Sequence, residues 1–284
     1  METIFRLDIL VDEENYDRVL GVLTLLVNFG WQESSLTTGQ TRFRVHCENE
    51  GFLRELAREL EIRLGGCAEW GIMTEEKEDW LAAWREYFTP VCCGKLFLVL
   101  PPWLVESQAS HPDRFPILIE PKSAFGTGQH ATTALCLSVL GELLSSGRLQ
   151  PGQEFLDLGT GTGILGIGCC KAGMHGIGLD IDPLSIENAR ENRALNGVKD
   201  FEVAQGSIGD APARAFDLVI ANILARPLIE MAPSLAAAKK PDGCLVLCGL
   251  LAVQADNVEK AFREQGLPAA RRVVEGEWCA LVWS

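Results

Sequence analysis

The chain has 284 residues, 47% hydrophobic and 23% charged, with 39 acidic against 25 basic side chains and a formal net charge of −14. That is enough apolar material for two buried cores. The charge argues against a surface that grips nucleic acid, because no basic cluster denser than Lys239-Lys240 or Arg271-Arg272 occurs; an acidic body draws cationic ligands or simply stays in solution. No apolar run approaches the roughly 20 residues that span a membrane, and METIFRLDILVDEENYD lacks the basic start and apolar stretch of a secretory signal, so a cytoplasmic location without membrane contact is expected.

Residues 1–73 read as a small α+β domain. Ile4–Val11 alternates as a strand, a helix opens at Asp12 or Glu13 and runs to Val27, and Gly30 follows it. Trp31–Leu36 and Arg42–Cys47 are strand-like around a Thr38-Gly39 turn. GFLRELARELEIRLGG is an amphipathic helix closed by glycines, and Ala68–Met73 is a last strand. The order β-α-β-β-α-β predicts a ferredoxin-like split unit. Residues 74–92 read as a linker helix, TEEKEDWLAAWREYFTP, with Trp80, Trp84 and Phe88 on one face as packing residues.

Residues 93–284 form the second predicted domain. Short strands at Lys95–Leu100 and Phe115–Ile119 precede alternating strand and helix, the pattern of a parallel sheet covered on both faces. Strands are expected at Glu154–Leu158, Gly176–Ile181, Phe201–Ala204, Phe216–Ile220 and Gly243–Cys248. Helices are expected at Ala131–Leu144, Ile164–Ala172, Leu184–Leu195, from ANILARP to Ala238, and at Val253–Gln265. Ala270–Glu275 and Trp278–Val282 close the chain as a hairpin around Gly276-Glu277. A terminal antiparallel hairpin is foreign to an ordinary dinucleotide fold. The ten cysteines include no C-x-x-C pair and lie mostly in apolar runs, so they read as reduced core residues with no metal site.

Three segments carry chemistry. In FLDLGTGTGILGIG, a strand ends in Asp157, and Gly159, Gly161 and Gly163 open a helix whose free N–H groups face a ligand. Asp180, ending the next strand, suits two ribose hydroxyls. An acid before the glycines would repel a pyrophosphate and favour an ammonium group, which points to S-adenosylmethionine over NAD. In ANILARP, Asn222 is either a helix cap or an amide that accepts an N–H from an incoming amine. AFGTGQHATT, with Gly126, Thr127, His130 and Thr133, precedes the glycine loop and is expected to fold over the cofactor, although His130 alone also suits a structural role.

These motifs in this order resemble the bacterial ribosomal protein L-eleven (L11) methyltransferases, a branch of the seven-stranded class I methyltransferases with a Rossmann-like domain. DWLAAWREYFTP, GKLFLVLPPW, AFGTGQHATT, LDLGTGTGILGI, GLDIDPLSIENARENRALNGV, LVIANILARPL and GEWCALVW carry the resemblance nearly end to end. It implies an α/β fold in which the ferredoxin-like domain recognises the acceptor and the linker helix lets it reorient. It implies S-adenosylmethionine as cofactor, S-adenosylhomocysteine as product, and N-methylation of lysines or the N-terminal amine of L11. Thr133, Gly159, Asp180 and Asn222 are the implied cofactor ligands, with Asn222 bordering methyl transfer. EPKS departs from the usual Pro-Gly before AFGTG, the stretch from Gly173 to Gly178 is one residue short, and Gly206-Ser207 replaces an Asp expected near adenine. The rival readings are a lysine methyltransferase of another protein and a non-catalytic module that binds the same cofactor.

Overall fold

The computed structural model describes residues 3–27, 30–36, 39–47, 49–65, 68–76, 88–120, 128 and 130–284. The chain divides into two units, Met1–Tyr87 and Phe88–Ser284.

Alternation builds the first unit. In β1 (Thr3–Val11), Leu7, Ile9 and Val11 are buried, and in β3 (Thr41–Cys47) Phe43 and Val45 join them. β1 pairs antiparallel with β3 and with β4 (Ala68–Glu76), and β3 pairs with β2 (Gln32–Ser35), which gives the order β2-β3-β1-β4. That order is the predicted split arrangement. Helix α1 (Tyr16–Leu26) and helix α2 (Glu50–Leu64) cover the apolar face. Asn49 caps α2 by accepting the Phe52 N–H at 3.2 Å. Leu53, Leu56, Ala57, Leu60 and Leu64 recur at three- and four-residue steps toward the core.

The linker reading needs correction at both ends. Thr74–Glu76 continue β4 across from Thr3–Phe5, and Val91–Cys93 form a short strand, β5, so neither end is helical. Sheet pairing overrides helix propensity at those positions. Residues 77–87, with Trp80 and Trp84, lie outside the described residues. Phe88 meets Trp103 edge-on, ring centroids 6.1 Å apart.

In the second unit β5, β6 (Phe97–Leu100) and β7 (Phe115–Leu118) form a small sheet in that order, β6 and β7 running parallel. The main sheet comprises β8 (Glu154–Leu158), β9 (His175–Asp180), β10 (Phe201–Gln205), β11 (Phe216–Asn222), β12 (Lys239–Leu251), β13 (Arg271–Glu275) and β14 (Trp278–Trp283). Its order is β10-β9-β8-β11-β12-β14-β13. The first five strands are parallel, and β14 is antiparallel to both β12 and β13. The order reverses between β8 and β11, which opens a crevice beyond the strands' carboxyl ends.

Both faces of this sheet are dry. α3 (Ala131–Ser145), α4 (Ile164–Lys171) and α5 (Pro183–Leu195) bury Leu140, Ile167 and Ala189 against Phe155, Phe201 and Ile220. α6 (Ala225–Glu230), α7 (Ala232–Ala238) and α8 (Ala255–Arg263) bury Leu228, Leu235 and Phe262 against Leu156, Val219 and Leu247 on the other side. Burial on two sides explains why these strands read as unbroken apolar runs. The helix expected to run on to Ala238 is two helices broken at Met231, because Pro233 has no N–H to return to the preceding turn. No helix among the described residues is long and apolar enough to cross a membrane.

Candidate active site

A cavity of about 730 Å³ opens where the strand order reverses, within the range of cofactor pockets. Its walls come from the ends of β8, β9, β10, β11, β12 and β14, with His130 and Thr132 from the start of α3.

The glycine loop shapes the first wall. Gly159, Gly161 and Gly163 have φ of 73°, 54° and 81°, a region closed to most side chains. A Cβ on Gly159 would stand 2.3 Å from Ile223 Cγ2. Gly159 and Gly161 line the cavity, whereas Gly163 starts α4 behind it. The Gly161 N–H donates to Asp180 Oδ2 at 2.9 Å and the Asp182 N–H to Oδ1 at 3.0 Å, so two main-chain donors orient the Asp180 carboxylate on the cavity wall. Among the described lining residues it is the one carboxylate, and no Lys or Arg joins it.

Asp157 is not where a contact with an ammonium group requires it. Alternation along β8 sends Phe155 and Asp157 toward the face covered by α3 to α5, and Asp157 is fully buried off the cavity wall. Its Oδ2 accepts from Thr160 Oγ1 at 2.7 Å and from the Gly166 N–H at 3.0 Å, which braces the loop onto the first turn of α4. Burial pushes this carboxyl up to about 6 against those two hydrogen bonds, and the charge of Asp180 adds to the rise.

This raised value has a consequence for stability. Between the unfolded value near 3.9 and about 6, the folded protein holds the extra proton. Stability therefore falls as pH rises through 6 and levels off above it, by about 3 kcal/mol in all. The melting temperature of the wild type is expected to drop more between pH 5 and pH 7.5 than that of Asp157→Asn. Parallel drops in the two proteins would contradict the assignment.

At the end of β11, Asn222 Nδ2 donates to Thr133 Oγ1 at 3.4 Å, while its Oδ1 is buried without a hydrogen-bond partner among the described residues. Asn222 lines the cavity. Thr133 is fully buried behind it. The helix-cap alternative for Asn222 does not hold, since Leu224 occupies the N-cap position of α6. His130 caps α3: its Nδ1 accepts the Thr132 N–H at 3.3 Å and lies 2.8 Å from Thr132 Oγ1. Its ring meets Trp278 edge-on at 5.0 Å on the cavity wall. At the end of β10 the Ser207 N–H donates to Asp210 Oδ2 at 2.8 Å, and Ser207 Oγ lies 3.7 Å from Met231 Sδ at the cavity's far end. Gly126 and Thr127 lie outside the described residues.

Gly249 and Trp278 also line the cavity. A Cβ on Gly249, at φ 83°, would stand 2.4 Å from the Ile223 carbonyl oxygen, so Ile223 is held between Gly159 and Gly249. Only strand register reveals this. Asn222 pairs with Cys248, which sets Gly249 beside Ile223 although the two are far apart in sequence.

A glycine loop, an oriented carboxylate at the next strand end and, at the fourth strand, an amide whose oxygen finds no donor among the described residues follow in this order along the crevice. The family profile described as Ribosomal protein L11 methyltransferase (PrmA) matches residues 31–284. The chain belongs to the ribosomal protein L11 methyltransferase family. This is a family of enzymes that depend on S-adenosylmethionine. A ribosomal protein L11 methyltransferase of Chloroflexus aurantiacus is 38% identical over 235 residues, 74% of this chain and 70% of that protein. The Myxococcus xanthus relative is 41% identical over 206 residues, 72% of this chain and 68% of its own length. The crystal structure of a ribosomal protein L11 methylase from Lactobacillus delbrueckii subsp. bulgaricus aligns with a TM-score of 0.61 and 30% identity, over 68% of this chain and 96% of that one.

The cavity fits the family's cofactor. It is large enough for an adenosyl amino acid, its carboxylate suits a cationic nucleoside, and the buried Asn222 Oδ1 is an acceptor that only a ligand donor satisfies among the described residues.

Proposed function

We propose that this chain transfers methyl groups from S-adenosylmethionine to amines of ribosomal protein L11, either lysine side chains or the N-terminal amine, working in the cytoplasm where that acceptor is made. The supporting observation is Asn222 Oδ1, a buried acceptor that finds no hydrogen-bond donor among the described residues. Leaving such an atom unpaired costs about 1–3 kcal/mol, so it is held ready for a donor from outside the chain.

When bound, S-adenosylmethionine supplies an electrophilic methyl group, and S-adenosylhomocysteine is the product. Asp180, held by the Gly161 and Asp182 N–H groups, would hold the ribose hydroxyls with its carboxylate. Gly159 and Gly161 would let the backbone close against the amino-acid portion, and Ser207, on the same cavity wall, would stand in for the Asp expected near adenine. Thr133 acts through Asn222, whose amide it holds. Gly163 and Asp157 brace the loop from behind.

The acceptor amine would donate to Asn222 Oδ1, which leaves its lone pair free for the methyl group. A lysine must first lose a proton, at a cost of about 4–5 kcal/mol at pH 7. Ile223, Leu224, Gly249 and Trp278 carry no charge, so this end of the cavity disfavours an ammonium and lowers the acceptor's pKa. Alignment of the reactants supplies a further share, roughly 7–11 kcal/mol in favourable cases. No strong general base is required.

Acceptor recognition we assign to the first unit, and we expect no direct contact with nucleic acid. The two densest basic pairs are engaged within the chain: Lys240 Nζ pairs with Asp217 at 2.9 Å, Arg271 with Glu142 at 3.1 Å, and Arg272 with Asp256 and Glu259.

Incubating the purified protein with tritiated S-adenosylmethionine and a bacterial lysate tests the reading. Label on L11 alone supports it. Label on a different protein identifies another acceptor, and no transfer despite cofactor binding leaves a non-catalytic module.

A further inference from the structure

Three asparagines, two on one stripe of α5 and the third its C-cap, connect elements that no sequence motif links. Asn188, Asn192 and Asn196 stand four residues apart and are all buried, Asn192 completely. Among the described residues, strand β7 pairs with β6 on one side only. The Phe115 and Ile119 N–H groups point to β6, while Leu118 and Glu120 point outward. Asn196 takes both backbone groups of Leu118, accepting its N–H at 2.9 Å and donating to its carbonyl at 2.6 Å. Asn192 Oδ1 accepts the Glu120 N–H at 3.0 Å.

The spacing matches because four helical residues rise about 6 Å and two strand residues about 6.6 Å. The carboxamides therefore supply the hydrogen bonds that a neighbouring strand would have made.

Asn192 does more than seal that edge. Its Nδ2 donates to the Thr162 carbonyl at 3.0 Å and to Asn188 Oδ1 at 2.9 Å, so one side chain grips both the glycine loop and the strand leading into AFGTGQHATT. Thr162 lies next to Gly161, whose N–H orients Asp180. Asn192 is absent from the cavity wall.

We infer that Asn192 is a positioning residue of the cofactor site, tying the glycine loop to β7 so that Gly161 and Asp180 are set before the nucleoside arrives. This rests on the reading of that loop as the S-adenosylmethionine site. Asn192→Ala removes every link, and Asn192→Asp keeps the acceptor for Glu120 while removing the donors. Asn196→Ala frees Leu118 but leaves the link to Thr162 intact.

All three variants are expected to melt at lower temperature. Calorimetry well below those temperatures, with S-adenosylhomocysteine as the probe, should find the Kd weakened about tenfold or more in both Asn192 variants, the effect of losing one hydrogen bond's worth of preorganisation. Asn196→Ala should stay within about twofold of wild type, and kcat at saturating cofactor should hold within about threefold in all three. If Asn192→Ala does not fold, Asn192→Ser, which retains one donor and acceptor, should show an intermediate Kd. Wild-type binding with an unchanged Kd in the Asn192 variants, or equal weakening in Asn196→Ala, overturns the inference and leaves the cofactor reading standing. No binding by the wild type overturns that reading itself.

Discussion

Asn222→Ala is expected to lower kcat by about 10²–10³-fold while changing the Kd of S-adenosylhomocysteine far less. The side chain has two functions that alanine removes together. Nδ2 fixes the amide against Thr133, and Oδ1 is buried on a cavity-lining residue without a donor among the described residues. An acceptor of this kind orients the amine without competing for its lone pair, so its contribution appears in the transition state more than in the ground state. The loss corresponds to about 2.7–4 kcal/mol of barrier. Asn222→Asp keeps the shape but adds a charge that stabilises the protonated amine, so it should be equally slow at neutral pH and recover as pH rises. Single-turnover transfer to the acceptor, measured with cofactor in excess, gives the comparison. A rate for Asn222→Ala within about tenfold of wild type would falsify the assigned role.

The second large effect falls on affinity. Asp180→Ala should weaken S-adenosylhomocysteine binding by about 10²-fold or more, because hydrogen bonds to a charged group contribute about 1.5–3 kcal/mol each. Both carboxylate oxygens already accept main-chain N–H groups, from Gly161 and Asp182, so the substitution also removes an anchor of the glycine loop. Asp180→Asn retains one acceptor oxygen and should fall between wild type and alanine. Turnover at saturating cofactor should change much less than in Asn222→Ala. Isothermal titration of the three proteins decides the matter, and a Kd for Asp180→Ala within about threefold of wild type counts against the ribose assignment.

The strand ends that carry the candidate site are legible in the sequence. Gly159 and Asp180 sit at strand ends, and a strand followed by glycines and a helix is a local pattern whose geometry is set by φ at those glycines. Asn222 ends β11 for the same reason: an apolar run followed by ANILARP marks where a buried strand stops. The parallel sheet with its terminal antiparallel hairpin also followed from alternating elements and the Gly276-Glu277 turn, but the strand order did not. Asp157 did not follow. Its position in the motif is local, but which face of β8 it points to depends on the packing of α3 to α5 from both sides of it in the chain.

The amino-acid sequence by itself determined most of the elements, their order along the chain, and the places of the glycine loop, Asp180 and Asn222 at strand ends, because each depends on contacts within a few residues. Tertiary structure alone decided that Gly249 presses on Ile223, that Trp278 and His130 share a wall, that Thr74–Glu76 extend a strand, and that Asn192 joins β7 to the loop. Those contacts join segments tens of residues apart. Their energy comes from burial and hydrogen bonds formed only once the sheet's strand order has closed, and no local spacing encodes that order.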